Sequence, residues 1–195
     1  MSPTWAGGRA VRPQAEDKEM PVAERKSLVI VNTGNGKGKS TAAFGLVLRA
    51  WGRGWKIVVL QYLKSTTNNY GERRAAKKLG IEWLPMGDGW TWTSKDIDRS
   101  AEMARDCWER SKVMLASGDY DLIVLDELTY TMKYGWLSAE EVIEGLRARH
   151  ERTFAVVTGR SAPPELIEFA DLVTEMQEIK HPFKHGIKAQ PGIEF

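Results

Sequence analysis

The chain has 195 residues and a net charge of +2, with 42% hydrophobic and 28% charged residues, an ordinary globular composition for one α/β domain with a single core. So balanced a charge gives no long-range field for nucleic acid or an anionic membrane, and no run approaches the roughly 18 apolar residues of a membrane span. The single cysteine, Cys107, excludes a disulfide framework and a cysteine-based metal site within one chain, and points to a reducing, cytoplasmic setting.

Residues 1–26 carry Gly, Pro and mixed charge without periodicity or a signal-peptide core. They read as a flexible N-terminal arm with at most a short helix over Glu16–Lys26, and the domain is expected over residues 27–195. Leu28–Val31 is an unbroken apolar run, the pattern of a strand buried on both faces of a parallel sheet. From Lys39, the apolar residues Ala42, Ala43, Leu46, Val47 and Ala50 share one helical face, which Gly52 and Gly54 end. Strand-like runs recur at Ile57–Leu60 and, more weakly, Ile81–Leu84. From Lys95, the positions Ile97, Ala101, Ala104, Trp108 and Leu115 keep helical spacing. Leu122–Leu125 reads as a strand, Ser138 with Glu141 as a capping box opening a helix to His150, and Phe154–Val157 as another strand. Pro163 and Pro164 fit the first turn of a helix to Ala170, before a last weak strand at Leu172–Val173. Alternating β and α elements imply a parallel sheet with helices on both faces.

The segment Gly34-Asn35-Gly36-Lys37-Gly38-Lys39-Ser40-Thr41 lies between the first strand and the first helix, the context a phosphate-binding loop requires. Glycines let successive N–H groups turn towards an anion, and the helix N-terminus adds its positive end. Lys39 supplies a point charge, and the Ser40 hydroxyl is a Mg²⁺ ligand of the right kind. The spacing is unusual. Thr33 stands where the common pattern has its first glycine, Gly36 is an extra glycine, and Lys37 adds a second cation. The strand at 122–125 ends in Asp126-Glu127, carboxylates at the strand end that faces the ligand crevice in open α/β sheets. Together these features imply a nucleoside triphosphate and Mg²⁺ on a P-loop NTPase-like (RecA-like) fold; they do not specify the reaction.

The loop Thr33–Ala43 resembles that of the ATP:corrinoid adenosyltransferases, the cob(I)yrinic acid a,c-diamide type, which share the short spacing and the extra lysine. The similarity continues through Leu48-Arg49-Ala50, Gln61-Tyr62-Leu63-Lys64, Gly71-Glu72-Arg73, Leu125-Asp126-Glu127-Leu128, Val157-Thr158-Gly159-Arg160 and Ala170–Met176. It closes with Lys180-His181-Pro182-Phe183, Gly186–Gln190 and Gly192–Phe195, and so spans about residues 24–195.

The resemblance implies transfer of the 5′-deoxyadenosyl group of ATP to Co(I) of a reduced corrinoid, with triphosphate leaving. It assigns Asn35, Gly36, Lys37, Gly38, Lys39, Ser40 and Thr41 to the triphosphate. Lys37, Lys39 and Glu127 become the catalytic group, and Ser40, Glu127 and Asp126 the Mg²⁺ site. Arg49, Gln61 and Arg160 match positions near the nucleotide. Trp92, with Trp90 where the family can carry Phe, matches an aromatic wall under the corrin ring; on physical grounds alone these indoles would more often be core. A homodimer, a flavoprotein reductase as electron donor and an arm folding over the partner's site come with the same resemblance.

Elsewhere, Cys107 beside Trp108 reads as core, and Pro182 between His181 and His185 argues against a helical metal pair. The basic stretch Lys180–Lys188 offers charges for corrin carboxamides or carboxylates, but reads more simply as a solvated strand end or a dimer contact. Loop and acidic strand would serve a nucleic-acid-stimulated ATPase of RecA-like type equally; a non-catalytic nucleotide-sensing module whose Trp-rich loop binds a protein partner, and a small-molecule kinase, are further alternatives. The small net charge disfavours the first, and the third lacks a separate acceptor site.

Overall fold

The computed structural model describes residues 26–65, 70–87, 89 and 97–194. Residues 1–25 of the expected arm, and Trp90 and Trp92, lie outside the described residues. Six strands form one sheet: β1 (Val29–Thr33), β2 (Ile57–Ser65), β3 (Glu82–Gly87), β4 (Leu122–Asp126), β5 (Phe154–Thr158) and β6 (Leu172–Glu175). Their order is β3-β2-β4-β5-β1-β6, and every neighbouring pair is parallel. The helices are α1 (Lys39–Gly52), α2 (Gly71–Leu79), α3 (Ile97–Ser117), α4 (Thr129–Lys133), α5 (Ala139–Arg147) and α6 (Pro164–Phe169).

The apolar runs explain the layers. Successive side chains of a strand point to opposite faces, so a strand buried on both must be apolar throughout. In β4, Ile123 and Leu125 join Cys107, Trp108 and Leu115 of α3, Val142 and Leu146 of α5 and Leu166 of α6. Leu122 and Val124 face the other way, onto Ala43, Val47 and Ala50 of α1 and Ala76 of α2. This is the expected parallel sheet covered on both sides. Cys107 is fully buried, and burial pushes its thiol up to about 12, which fits packing rather than nucleophilic chemistry.

Some boundaries move. The weak run at 81–84 becomes a strand at 82–87, and the last strand extends to Glu175 at an exposed sheet edge. The helix opened by Ser138, whose Oγ accepts the Glu141 N–H at 3.0 Å, stops at Arg147 rather than at His150. The His150 N–H leaves the helix pattern and donates to Leu115 O. The helix after Pro163 likewise ends at Phe169. Two helices offer few apolar residues: α2 is mostly charged, with Ala76 buried and Leu79 packed beside it, and α4 is five residues long. Among the described residues, no helix is long and apolar enough to cross a membrane.

Candidate nucleotide-binding site

All strands run the same way, so their carboxyl ends share one edge. Register places Gln61 beside Asp126 and Asn32 beside Thr158 there. β1 remains a strand through Thr33, whose Oγ1 accepts the Ala162 N–H at 3.1 Å, and the loop begins only at Gly34. That accounts for the short spacing: the position where a glycine is usual is occupied by the last strand residue.

The loop is pressed against the chain that follows β6. Thr33 O accepts the Met176 N–H at 2.8 Å, and Met176 O accepts the Gly36 N–H at 2.6 Å. A Cβ on Gly34 would lie 2.5 Å from Met176 O, and one on Gly36 2.5 Å from Gln177 O. Both glycines are thus required by contact, and Gly34, at φ 93, by its left-handed turn as well. Gly38 occupies the N-cap of α1, and no side chain among the described residues caps that helix or places an acid in its first turn. Its opening N–H groups and positive end are therefore left to an anion.

Lys39 curls back so that its Nζ donates to Gly36 O at 2.5 Å. Burial, then the Arg160 charge, hold its ammonium below the ordinary value; Glu127 pulls the other way and Lys37 adds to the lowering. Lys37, more exposed, pairs with Glu194 near the C-terminus. Ser40 is half-buried, and Asn35 and Thr41 are exposed.

Glu127 follows β4 with φ 65, a left-handed conformation costing on the order of 1 kcal/mol for a residue with a Cβ. Its N–H donates to Thr158 Oγ1 at 2.9 Å, and its carbonyl accepts the Tyr130 N–H at 3.2 Å. Burial first, then the Asp126 charge, raise its carboxyl to about 7, with Lys64 and Lys39 opposing. Asp126 is itself 1% exposed. Its Oδ1 accepts from Thr158 Oγ1 at 2.7 Å and its Oδ2 from Gln61 Nε2 at 3.0 Å.

Loop, Lys39, Glu127 and Arg160 thus share one electrostatic neighbourhood. Arg49 does not join it: it lies exposed in the last turn of α1, ten residues and about 15 Å along the helix from Lys39. Gln61 is 2% exposed, with both ends of its amide already engaged, and so does not face open space. His181 caps and His185 ends a 3-10 turn, Pro182–His185, and His181 Nδ1 accepts the Phe183 N–H. Lys64, Tyr130, Thr158 and the 176–177 wall also border the site, which local spacing does not announce. The available sign was the length of β2, whose nine residues carry Lys64 past the pairing of Gln61 with Asp126.

A strand feeding a glycine-rich loop into an uncapped helix, with an acidic strand end two strands away, defines a P-loop α/β protein. The chain belongs to the ATP:corrinoid adenosyltransferase BtuR/CobO/CobP family, whose model matches residues 25–195. It is 38% identical over 185 residues to the corrinoid adenosyltransferase of Escherichia coli (strain K12), covering 95% of this chain and 94% of that one. To the corrinoid adenosyltransferase of Pseudomonas aeruginosa it is 41% identical over 182 residues, 92% of this chain and 89% of the relative. To the corrinoid adenosyltransferase CobA of Salmonella typhimurium it is 39% identical over 185 residues, 95% of this chain and 94% of the relative.

Proposed function

We propose that this protein transfers the 5′-deoxyadenosyl group of ATP to Co(I) of a reduced corrinoid, in adenosylcobalamin biosynthesis or salvage. The cobalt electron pair attacks C5′, a Co–C bond forms, the C5′–O bond breaks, and triphosphate leaves with the bonding electrons. The nucleophile belongs to the substrate, so the protein's tasks are alignment and charge stabilisation. The observation that carries the reading is the juxtaposition of Lys39, held against the loop at Gly36, with Glu127 across the strand ends.

In this reading the opening N–H groups of α1 and the Lys39 ammonium grip the triphosphate. Arg160 adds positive charge at the same place, and Lys37 exchanges Glu194 for a phosphate oxygen. Mg²⁺ fits the residues present. Ser40 and Glu127 are hard oxygen donors, and a carboxyl raised to about 7 by burial and a neighbouring carboxylate is one that a cation would relieve. Among the described residues no cluster of three or more His, Cys, Asp or Glu offers a cage for a metal. A site shared with substrate phosphates suits Mg²⁺ in that case. When bound, the ion would neutralise charge on the departing triphosphate. Asp126, with both oxygens occupied by protein donors, supports Glu127 rather than leading the metal site.

Residues 27–195 form the transferase domain in this reading. The aromatic wall at Trp90 and Trp92, the homodimer and the flavoprotein reductase are carried by the family resemblance, and the cytoplasmic setting by the single cysteine. The test is product identity. With ATP, Mg²⁺ and chemically reduced cobalamin, the protein should yield a light-sensitive Co–C product and one intact triphosphate per turnover. Orthophosphate release without corrinoid would replace this reading with an ordinary ATPase.

A further inference from the structure

Gln61 is buried at the centre of a chain of hydrogen bonds that crosses four adjacent strands. Trp83 Nε1 on β3 lies 2.7 Å from Gln61 Oε1 on β2, and Gln61 Nε2 lies 3.0 Å from Asp126 Oδ2 on β4. Thr158 Oγ1 on β5 lies 2.7 Å from Asp126 Oδ1 and receives the Glu127 N–H at 2.9 Å.

Donor chemistry fixes the direction of every bond. An indole N–H can only donate, so the Gln61 amide must turn its oxygen to Trp83 and its NH₂ to Asp126. Asp126 Oδ2 is then an acceptor. Thr158 takes the Glu127 N–H on its oxygen, and its own proton goes to Asp126 Oδ1. The indole is held in turn by Phe44 of α1, whose ring centroid lies 4.8 Å away. The chain therefore ends on the backbone N–H of Glu127, a residue held at φ 65.

Resting on the reading of Glu127 as the metal-binding carboxylate, we propose that Gln61 is a positioning residue. Through Asp126 and Thr158 it holds Glu127 in the left-handed conformation that presents its carboxylate to the loop, and Trp83 sets which way the Gln61 amide points. Gln61 acts on divalent-dependent nucleotide binding and not on the grip of the loop itself. Partners one shell removed from a metal commonly change its affinity by about 10–100-fold.

The experiment measures Mn²⁺ binding to the protein–ATP complex by electron paramagnetic resonance. Alongside it, tripolyphosphate binding in EDTA is measured by calorimetry. Gln61→Leu removes both amide bonds. Gln61→Glu keeps the size and the acceptor for Trp83 but removes the donor to Asp126. Both should weaken Mn²⁺ binding about tenfold or more and leave metal-free tripolyphosphate binding within about twofold. Trp83→Phe, which leaves the Gln61 side chain in place, should weaken Mn²⁺ binding about two- to threefold and decides the matter if the Gln61 variants do not fold. Unchanged Mn²⁺ affinity, or an equal loss in the metal-free assay, overturns the proposal. Glu127→Gln separates the two layers. If it loses Mn²⁺ affinity while the Gln61 variants do not, only the positioning role falls; if it too binds Mn²⁺ normally, the assignment of the metal to Glu127 falls first.

Discussion

Two regions bring a carboxylate to the same loop. At the carboxyl edge of the sheet, Glu127 lies within electrostatic reach of Lys39, its backbone bonded at both its N–H and its carbonyl. At the C-terminal tail, Glu194 pairs with Lys37. The first carboxylate is built into the frame. The second arrives on a segment whose Ile179, Phe183 and Ile193 side chains are 87%, 73% and 81% exposed. Burial gives Glu127 a shifted protonation range, whereas the Lys37–Glu194 pair has its ammonium end 48% exposed, though its carboxylate is only 16% exposed, and the open end weakens its hold. Under the proposed function the frame would stabilise the leaving group and the tail would be displaced by it.

The largest expected effect lies on the frame. Lys39→Ala should lower adenosyl transfer by about 10²-fold or more, the usual cost of removing a donor aimed at developing charge, while thermal melting stays close to wild type. Lys37→Ala, measured in parallel, should lose far less. Equal losses at the two lysines would erase the distinction between frame and tail.

Much of the frame was legible in the sequence because apolar runs buried on both faces leave no ambiguity about strands. Val29–Val31, Leu122–Leu125 and Ala155–Val157 are all core. The loop and the Asp126-Glu127 pair were legible because their chemistry is contiguous. What escaped depends on contacts between distant segments. Nothing in Met176–Gln177 announces that its backbone walls the loop, and nothing local distinguishes Glu194 from a solvated acid. Gln61 matches a position near the nucleotide by resemblance alone. Its actual surroundings follow from register with β4 and an indole from β3, which only the assembled sheet brings together. α2 escapes because Glu72, Arg73, Arg74, Lys77 and Lys78 leave it a narrow apolar face, Ala76 with Leu79, too short for a periodic pattern.

A smaller effect should separate the regions by pH. Glu127 is raised from 4.5 to about 7, so between those values the folded chain keeps a proton that the unfolded chain has released. Stability contributed by that proton falls as pH rises through the window and is gone above about 7. Glu127→Gln cannot ionise. It should exceed the wild type in urea melts at pH 8 by about 1–3 kcal/mol and match it near pH 4. A constant offset at both pH values would mean that the Glu127 carboxyl is not held in the environment described.

The smallest effect belongs to the tail. If Lys37 must leave Glu194 to take a phosphate oxygen, then Glu194→Gln removes the competing charge while keeping the shape of the side chain. Exposed ion pairs contribute about 0.2–1 kcal/mol, so ATP should bind up to about fivefold more tightly to the variant at low salt. Salt weakens the pair in the wild type, and the two affinities should converge as ionic strength approaches 1 M, where screening acts over about 3 Å. Lys37→Ala should abolish the gain, because the same ammonium carries both effects. Weaker binding by Glu194→Gln would reverse the reading, since Glu194 would then be holding Lys37 in place for the triphosphate rather than standing in for it.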